Sequence, residues 1–424
     1  MLSLDLGEMI GSFRFQSERR FTSREALFFS AEDADCGRMV SPKKRATTTA
    51  SETGLPASYG KGWFSRVRGW DWETILLVLG IKLLVLTFGL EAVAALNEEH
   101  VGWDAMWNRW DATHYLALAK DGYQASGDQL FSLVFFPLYP WLVRGVAWAV
   151  SDYVTAAFVV SGVASVATGL LLRQLVCCDE SDEVARNAVW FLFIFPTSFF
   201  LHVPYTESLF LALTLGCFLA ARKERWELTG LLGAAACLTR VNGLVLVPAL
   251  ATEIGLRFWI RRRIDWRWLW LVLVPLGFLA YLWLNYKVTG DYLAFTKIMK
   301  EHWYKKFAWP WFGVHDVWLR ALGANVNEGL NEFIAVVLIS VCTLWSWMRL
   351  RPSYSVWITL NWLLINSTAF VLSVPRYTLT LFPVFMLFAI ACTGRRLWFS
   401  MVSVWWLLYL ALYTGRFAQG YWAS

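Results

Sequence analysis

The sequence predicts an all-α polytopic membrane protein: a bundle of about 11 transmembrane or partly spanning helices, with an interfacial helix in its first outer loop. Of its 424 residues, 57% are hydrophobic and only 17% are charged, whereas a soluble domain carries about 25% charged residues. Several apolar runs reach about 20 residues, the length of a helix that crosses the hydrocarbon core. The 27 tryptophans are typical of belts at headgroup level.

Residues 1–70 differ in composition from the rest of the chain. They are polar, carry a basic run at Lys43–Arg45 and contain no apolar stretch of the kind found in signal peptides. We expect a disordered cytoplasmic tail. Alternatively the start codon has been assigned too far upstream, and Met39 is the true start. We expect residues 71–424 to form the membrane domain in either case.

Apolar segments begin near residue 72 and continue to the end of the chain. We place helices at 72–95, 154–173, 185–203, 206–222, 226–239, 243–260, 266–287, 332–349, 355–373, 377–393 and 397–414. The basic residues that flank these helices all fall on one side only if 226–260 enters the membrane and returns. That requires a break near Arg240–Gly243, and broken helices occur where they line a cavity.

The same alternation places residues 96–152 outside, where an excess of acidic over basic residues fits the non-cytoplasmic side. The apolar run 130–150 contains two prolines and an arginine, so we predict an interfacial or re-entrant segment. A second outer loop, at about 288–331, is amphipathic and rich in tryptophan.

Residues 107–115 concentrate an acid, an imidazole and a guanidinium beside aromatic rings. If 103–120 form one interfacial helix, Asp104, Asp111 and His114 share a face. A carboxylate three residues from a histidine is a reasonable general-base site; the alternative is an amphipathic helix with a solvated acidic edge. Asp104 and Asp111 could instead hold a divalent cation. That possibility is not favoured, because such sites usually have more oxygen ligands than two.

Three further features each allow two interpretations. Arg109 either pairs with Asp111 or binds a phosphate, whose oxygens a planar guanidinium matches. The rigid aromatic turn Phe135–Pro140 either packs the interfacial segment or shapes an entrance for an isoprenoid or acyl chain. Glu207 starts an apolar run, where an acid is either functional or a helix N-terminal residue.

Two arginines stand at predicted helix ends. Arg240 lies at the predicted break and Arg376 at the outer mouth of a later helix. Facing one external cavity, with no partners evident in the sequence, they would suit a phosphate or pyrophosphate. The alternative is that each side chain extends to lipid headgroups.

Several classes of site are not indicated. The net charge of +6 comes from short clusters beside apolar segments, so it does not indicate nucleic-acid binding. No CxxC pair occurs, and the five histidines do not cluster with cysteines, so neither zinc nor a disulfide framework is expected. There is no Walker loop, GxGxxG turn, HExxH or GxSxG motif. If the protein transfers a chemical group, the donor of that group is therefore expected to be carried on a lipid rather than on a nucleotide. The seven cysteines are scattered: Cys36, Cys177, Cys178, Cys217, Cys237, Cys342 and Cys392.

Short motifs recur in a fixed order across residues 72–395. They are Arg109–Tyr115, Gly122–Tyr123, Phe136–Pro140, Pro204–Phe210, Thr239–Gly243, and Pro375–Tyr377 with Phe382–Pro383. This ordered set resembles the PIG-V-type mannosyltransferases of the GT-C glycosyltransferase superfamily, and its spelling is closer to the bacterial members. The eukaryotic members add the second mannose of glycosylphosphatidylinositol.

The resemblance implies a GT-C-like bundle and an inverting transfer of a mannosyl group from a polyprenyl-phosphate sugar to a lipid-linked or glycolipid acceptor. It implies a site on the non-cytoplasmic face, in a bacterial plasma membrane rather than an endoplasmic reticulum, with membrane lipid but no nucleic acid as a partner and no cofactor. Asp111 matches the catalytic carboxylate, and His114 would orient it or contact the sugar. The implied substrate-binding residues are Arg109, Tyr115, Tyr139, Tyr205, Glu207, Arg240, Asn242, Arg376 and Tyr377.

Two other functions fit the same fold. A transporter or lipid flippase would use Arg240 and Glu207 as charges along a pathway. A non-catalytic scaffold would keep the helices without the chemistry.

Overall fold

The structure is a computed structural model that describes residues 69–95, 102–323 and 326–423. The tail predicted for residues 1–70 lies outside the described residues, apart from its last two positions. The α-helices are α1 (Gly69–Ala94), α2 (Trp103–Trp107), α3 (Asp111–Asp121), α4 (Leu138–Val150), α5 (Tyr153–Cys177), α6 (Asp182–Ile194), α7 (Glu207–Arg222), α8 (Trp226–Cys237), α9 (Leu246–Arg261), α10 (Leu273–Thr289), α11 (Ala294–Glu301), α12 (Pro310–Leu322), α13 (Val326–Arg349), α14 (Pro352–Asn366), α15 (Val374–Thr378), α16 (Phe382–Cys392) and α17 (Arg396–Ala418).

Among the described residues, six helical stretches are long and apolar enough to cross a membrane. They are Asp71–Ala94, Tyr153–Cys177, Val241–Arg261, Trp266–Thr289, Gly329–Arg349 and Arg396–Ala418. A further pair, the 3₁₀ segment Asp128–Val134 and α4, is bent by 113°, in the run predicted to be interfacial or re-entrant. The prediction of an all-helical, multi-pass membrane protein is confirmed.

Each of the eleven predicted segments contains a helix, but several helices are shorter than predicted. The segment predicted at 185–203 ends as α6 at Ile194, because Pro196 disfavours helical backbone at Phe195, which is extended with ψ 143°. The segment predicted at 377–393 is divided into α15 and α16, each of which has a proline in its first turn. At 11–16 residues, helices such as α7, α8 and α16 fall short of the roughly 20 needed to span a bilayer alone.

The prediction of a single helix over 103–120 is wrong. The chain leaves the helix after Trp107 and re-enters it at Asp111, with Trp110 at φ 54°. Trp107 is fully buried and packs so closely on α1 that a Cβ on Gly89 would lie 2.6 Å from its ring. Burial of this ring sets the direction of α2, so Asp104 does not continue the face of α3 that carries Asp111.

The loop predicted at about 288–331 contains two helices, α11 and α12. Between them, residues 302–309 run back over the bundle, and Ala308 N–H donates to the Ser367 carbonyl. This path brings the loop over the end of the bundle where α3, α7, α15 and the break between α8 and α9 meet. The functional candidates lie at that end.

Candidate functional site

Glu207 stands at the centre of a buried cluster of charged side chains. It is the first residue of α7, where an acid is favoured by the free N–H groups of the helix. Its side chain is fully buried. Oε1 accepts hydrogen bonds from Arg240 Nη1 at 2.6 Å and from Arg376 Nε at 2.5 Å. Glu207 therefore occupies a helix N-terminus and pairs with two arginines, so its two predicted roles are compatible.

Arg240 lies at the break that the sequence predicts. Helix α8 ends at Cys237, and Arg240 is extended at φ −156° and ψ 150°. The chain folds back so tightly that a Cβ on Gly243 would lie 2.6 Å from the Cys237 nitrogen. Nη1 of Arg240 also donates to Thr206 Oγ1 at 3.1 Å. Its Nε and Nη2 make no hydrogen bond within the described residues, and the side chain is 14% exposed.

Arg376 links Glu207 to Asp111. Its guanidinium packs on the rings of Phe200 and Tyr205, with its carbon 4.9 and 4.6 Å from their centroids. Nη1 donates to Asp111 Oδ2 at 2.6 Å. The side chain is 5% exposed. No partner of Arg240 or Arg376 is evident in the sequence, but the fold supplies two carboxylates, Glu207 and Asp111, from residues distant in the chain.

Asp111 is the accessible end of this ion-pair chain, which we define as Asp111, Arg376, Glu207 and Arg240. It is the first residue of α3, and its side chain is 18% exposed. Among the described residues only Oδ2 is hydrogen-bonded, so Oδ1 is free to accept a proton. The ion-pair chain contains two carboxylates and two guanidinium groups, so it is neutral overall.

His114 contacts Ser132 rather than Asp111. Its Nδ1 is 2.9 Å from Ser132 Oγ, and its ring stacks on Phe135 with centroids 4.8 Å apart. Burial lowers the pKa of His114 below its ordinary value, and the Asp111 carboxylate opposes this shift. His114 lies beside the acid, one helical turn along α3, without a hydrogen bond to it.

Three tyrosines predicted to bind substrate, Tyr115, Tyr139 and Tyr205, pack together beside the ion-pair chain. The Tyr205 hydroxyl donates to the Arg109 carbonyl at 3.0 Å, and the Tyr115 hydroxyl lies 3.4 Å from Thr206 Oγ1. Tyr139 is fully buried and its hydroxyl bonds Ser161 Oγ at 2.9 Å.

The Arg109 guanidinium turns away from the acid at the start of α3. Its Nε donates to the Met106 carbonyl at 3.2 Å, and a Cβ on Gly420 would lie 2.4 Å from its Nη1. Within the described residues Asp111 pairs with Arg376, so the interpretation of Arg109 as the partner of Asp111 is wrong.

Lys305 is a site residue that the sequence did not reveal. Its Nζ lies 3.2 Å from the Tyr377 hydroxyl and 5.1 Å from the ring centroid. The Arg240 guanidinium carbon lies 5.6 Å from the same centroid, so Tyr377 packs against both cations. The only signal was a group of lysines in the loop at about 288–331, without any indication of where that loop folds.

Asn242 fixes the break rather than joining the cluster. Its Nδ2 donates to Asn361 Oδ1 at 2.7 Å, and Asn361 Nδ2 donates to the Trp357 carbonyl within α14. The amide pair ties the turn after Arg240 to a neighbouring helix.

An apolar groove of about 700 Å³ runs from the site end of the bundle to the opposite end, between α4, α5, α7 and α8. It begins near Leu142 and Leu209, within one helical turn of Glu207, and reaches Lys223 and Arg225. Small residues on the facing helices open it: Ala164, Ala167, Ala212, Gly216 and Ala220.

In the described part of the chain, no group of three or more histidine, cysteine or acidic side chains is arranged to hold a metal ion. Asp111 instead has a guanidinium at its Oδ2.

Known proteins resemble parts of this chain. No protein-family model matches it. It is 29% identical over 154 residues to GPI alpha-1,6-mannosyltransferase 2 of Rattus norvegicus, a match covering 34% of this chain and 30% of that protein. GPI mannosyltransferase 2 of Schizosaccharomyces pombe is 27% identical over 159 residues, covering 34% and 32%. The chain thus spans about a third of the length of the curated relatives it matches. The resemblance predicted from the motifs is confirmed.

One solved structure, that of ArnT from Cupriavidus metallidurans bound to undecaprenyl phosphate, is also similar. It superposes with a TM-score of 0.48 at 15% identity, covering 78% of this chain and 61% of ArnT.

Proposed function

We propose that this chain is an inverting membrane glycosyltransferase. It moves a mannosyl group from a polyprenyl-phosphate sugar to a hydroxyl of a lipid-linked or glycolipid acceptor. The observation that carries the proposal is the ion-pair chain. Arg376 holds the Asp111 carboxylate through Oδ2 at 2.6 Å and leaves Oδ1 accessible. The similarity to GPI mannosyltransferases supports the choice of sugar.

Asp111 is the proposed general base. The acceptor oxygen attacks C1 of the sugar while the bond between C1 and the phosphate oxygen breaks. The bonding electron pair leaves with the polyprenyl phosphate, and the acceptor proton passes to Asp111 Oδ1. Because attack comes from the side opposite the leaving phosphate, the configuration at C1 inverts. A positioned base of this kind typically contributes about 10²–10⁴-fold in rate.

The donor phosphate is proposed to lie between Arg240 and Lys305. The ion-pair chain is neutral, and Lys305 adds a positive charge beside it. The free Nε and Nη2 of Arg240 can donate to phosphate oxygens, and Lys305 Nζ lies across the Tyr377 ring. These groups would stabilise the charge that grows on the phosphate as the bond breaks.

The apolar groove between α5 and α7 supports a substrate with a long hydrocarbon chain. It starts within a turn of Glu207 and continues along the length of α7. About 14 residues separate Leu209 from Lys223, which corresponds to roughly 20 Å of helix. A polyprenyl or acyl chain can lie along this surface while its headgroup stays at the site.

We propose that the site faces the non-cytoplasmic side of a bacterial plasma membrane. Arginines concentrate at the opposite helix ends, for example Arg222 at the end of α7, Arg261 at the end of α9 and Arg349 at the end of α13. Such an excess favours the cytoplasmic side for those ends. No metal enters this mechanism, because guanidinium and ammonium groups supply the positive charge.

The proposal is tested with radiolabelled polyprenyl-phosphate mannose added to membranes that contain the protein. The readout is label transferred to lipid extracts together with release of polyprenyl phosphate. We expect Asp111→Asn to lower transfer about 10²–10⁴-fold at unchanged protein level. The matched control is Asp104→Asn, an exposed acid on α2, which keeps wild-type activity. Near-normal transfer by Asp111→Asn refutes the base assignment, and absence of transfer by the wild type refutes the proposed function.

A further inference from the structure

Glu332 is a buried carboxylate that the proposed mechanism does not use. It lies in the apolar helix α13 and is 2% exposed. Within the described residues it forms no ion pair. Its partners are two backbone groups of a distant segment: Ser373 N–H donates to Oε1 at 2.6 Å, and Val374 N–H donates to Oε2 at 2.7 Å. Burial of a carboxyl group in an apolar helix is costly, so this residue is an expensive way to satisfy two N–H groups.

The segment that Glu332 holds is the short helix carrying Arg376. Ser373 precedes α15 in a left-handed conformation, at φ 68° and ψ 30°, which a non-glycine residue adopts only at a cost. Helix α15 has five residues, too few for its own hydrogen bonds to fix its direction. The orientation of α15 therefore depends on what binds its ends.

Two other contacts hold the same segment. Thr197 Oγ1 donates to the Pro375 carbonyl at 2.9 Å, and Arg320 Nη2 donates to the Val371 carbonyl. Glu332 is the only one of the three that binds two consecutive backbone groups, and it binds them at the strained turn. A carboxylate that accepts two N–H groups fixes both the position and the direction of the backbone.

From these contacts we propose that Glu332 is a positioning residue for the transfer reaction. It clamps the turn before α15 so that Arg376 reaches Asp111 and Glu207 together. Arg376 follows Ser373 by three residues, and its contacts to the two acids are only 2.6 and 2.5 Å long. A small displacement of the turn would break one or both. This inference rests on the proposed function for its kinetic consequence but not for its structural one.

The test compares Glu332→Gln with a matched substitution, Glu253→Gln. Glu253 is also 2% exposed and lies in a span. It pairs with Arg351 at 3.0 Å and with Arg257 at 3.3 Å, at the end of the bundle opposite the site. Both variants replace one buried carboxyl group by an amide. Only Glu332→Gln loses an acceptor at the turn before α15, because its amide offers one oxygen where the acid offers two.

Two readouts are measured on the purified full-length chain. Amide hydrogen exchange of a peptide covering 370–379 should quicken in Glu332→Gln and stay unchanged in Glu253→Gln. With polyprenyl-phosphate mannose as the probe, kcat should fall about 10- to 100-fold, as expected for a small displacement of catalytic groups. The donor KM should change much less. Glu332→Asp, which keeps two acceptor oxygens, should restore part of kcat.

The outcomes separate this inference from the proposed function. Unchanged exchange at 370–379 in Glu332→Gln overturns the clamp, whatever the activity. Equal kcat losses in Glu332→Gln and Glu253→Gln also overturn it, because the effect is then one of general stability. If the wild type transfers no sugar, the proposed function fails, and faster exchange in Glu332→Gln still supports the clamp.

Discussion

Arg376 is the side chain whose replacement tests the ion-pair chain most directly. It donates to Glu207 through Nε and to Asp111 through Nη1, so two different nitrogens of one planar group serve two acids. Lysine keeps the charge but concentrates it in one ammonium group and cannot reproduce the fork. We expect Arg376→Lys to retain the contact with the buried Glu207 and to lose the one with Asp111.

The size of the effect follows from the contact that is lost. A hydrogen bond to a charged group contributes about 1.5–3 kcal/mol. If the Asp111 contact serves the transition state, kcat falls about 10- to 100-fold, since about 1.4 kcal/mol corresponds to a factor of ten. Arg376→Ala removes both contacts and leaves the buried Glu207 carboxylate paired with Arg240 alone. That change should cost about 3–5 kcal/mol of unfolding free energy.

The assay measures kcat and KM for polyprenyl-phosphate mannose and thermal unfolding in detergent for the same preparations. The matched control is Arg173→Lys. Arg173 is 2% exposed and bridges Glu73 at 3.1 Å and Asp182 at 3.0 Å, at the end of the bundle opposite the site. It should lose comparable stability and keep wild-type kcat. The reasoning fails if Arg376→Lys loses stability as Arg173→Lys does but transfers sugar at the wild-type rate.

Two further predictions concern the donor and the histidine. Lys305→Ala should raise the donor KM about tenfold, equivalent to about 1.4 kcal/mol of lost phosphate binding. The control, Lys306→Ala at the adjacent residue, should leave the donor KM unchanged. Equal KM values for the two variants would show that Lys305 does not bind the phosphate. Burial lowers the pKa of His114, so folding favours its neutral form. The contribution of His114 to stability is therefore complete above its ordinary pKa of about 6.5. It is lost as the pH falls through the lower pKa of the folded state. Lowering the pH from 7 to 5 should therefore lower the unfolding temperature of the wild type more than that of His114→Asn. Equal decreases in the two proteins would contradict the prediction.

Hydrophobic pattern and helix-breaking residues were sufficient to predict most of the fold. The long apolar runs correspond to helices, and the flanking arginines required a break near Arg240, where the chain is extended. The motifs at Asp111, Glu207 and Arg376 are far apart in sequence, yet the fold brings their side chains into one chain of ion pairs. The helices, the break and the motif residues could be predicted because each depends on local composition or on a short motif, whereas the ion pairs between these residues could not.

Features that depend on packing between distant segments could not be predicted. The interruption between α2 and α3 follows from burial of the Trp107 ring against α1, and no local signal marks it. Lys305 reaches the site only because its loop folds back over the bundle. Glu332 stands in an apolar helix, and its backbone partners lie about 40 residues further along the chain. Helical periodicity carries no information about such contacts.

The arrangement of charges also bears on the transport alternative. A pathway through the bundle would require Arg240 and Glu207 to face a continuous polar route. Instead these two side chains bind each other at 2.6 Å, and Glu207 is fully buried. Beside them the Tyr115 ring packs against the rings of Tyr139 and Tyr205, so aromatic side chains border the polar cluster. Accessible polar groups remain at Asp111 and at the free nitrogens of Arg240. Charged groups that pair with each other, with their accessible atoms at one end of the bundle, favour chemistry at the membrane surface over passage through the membrane.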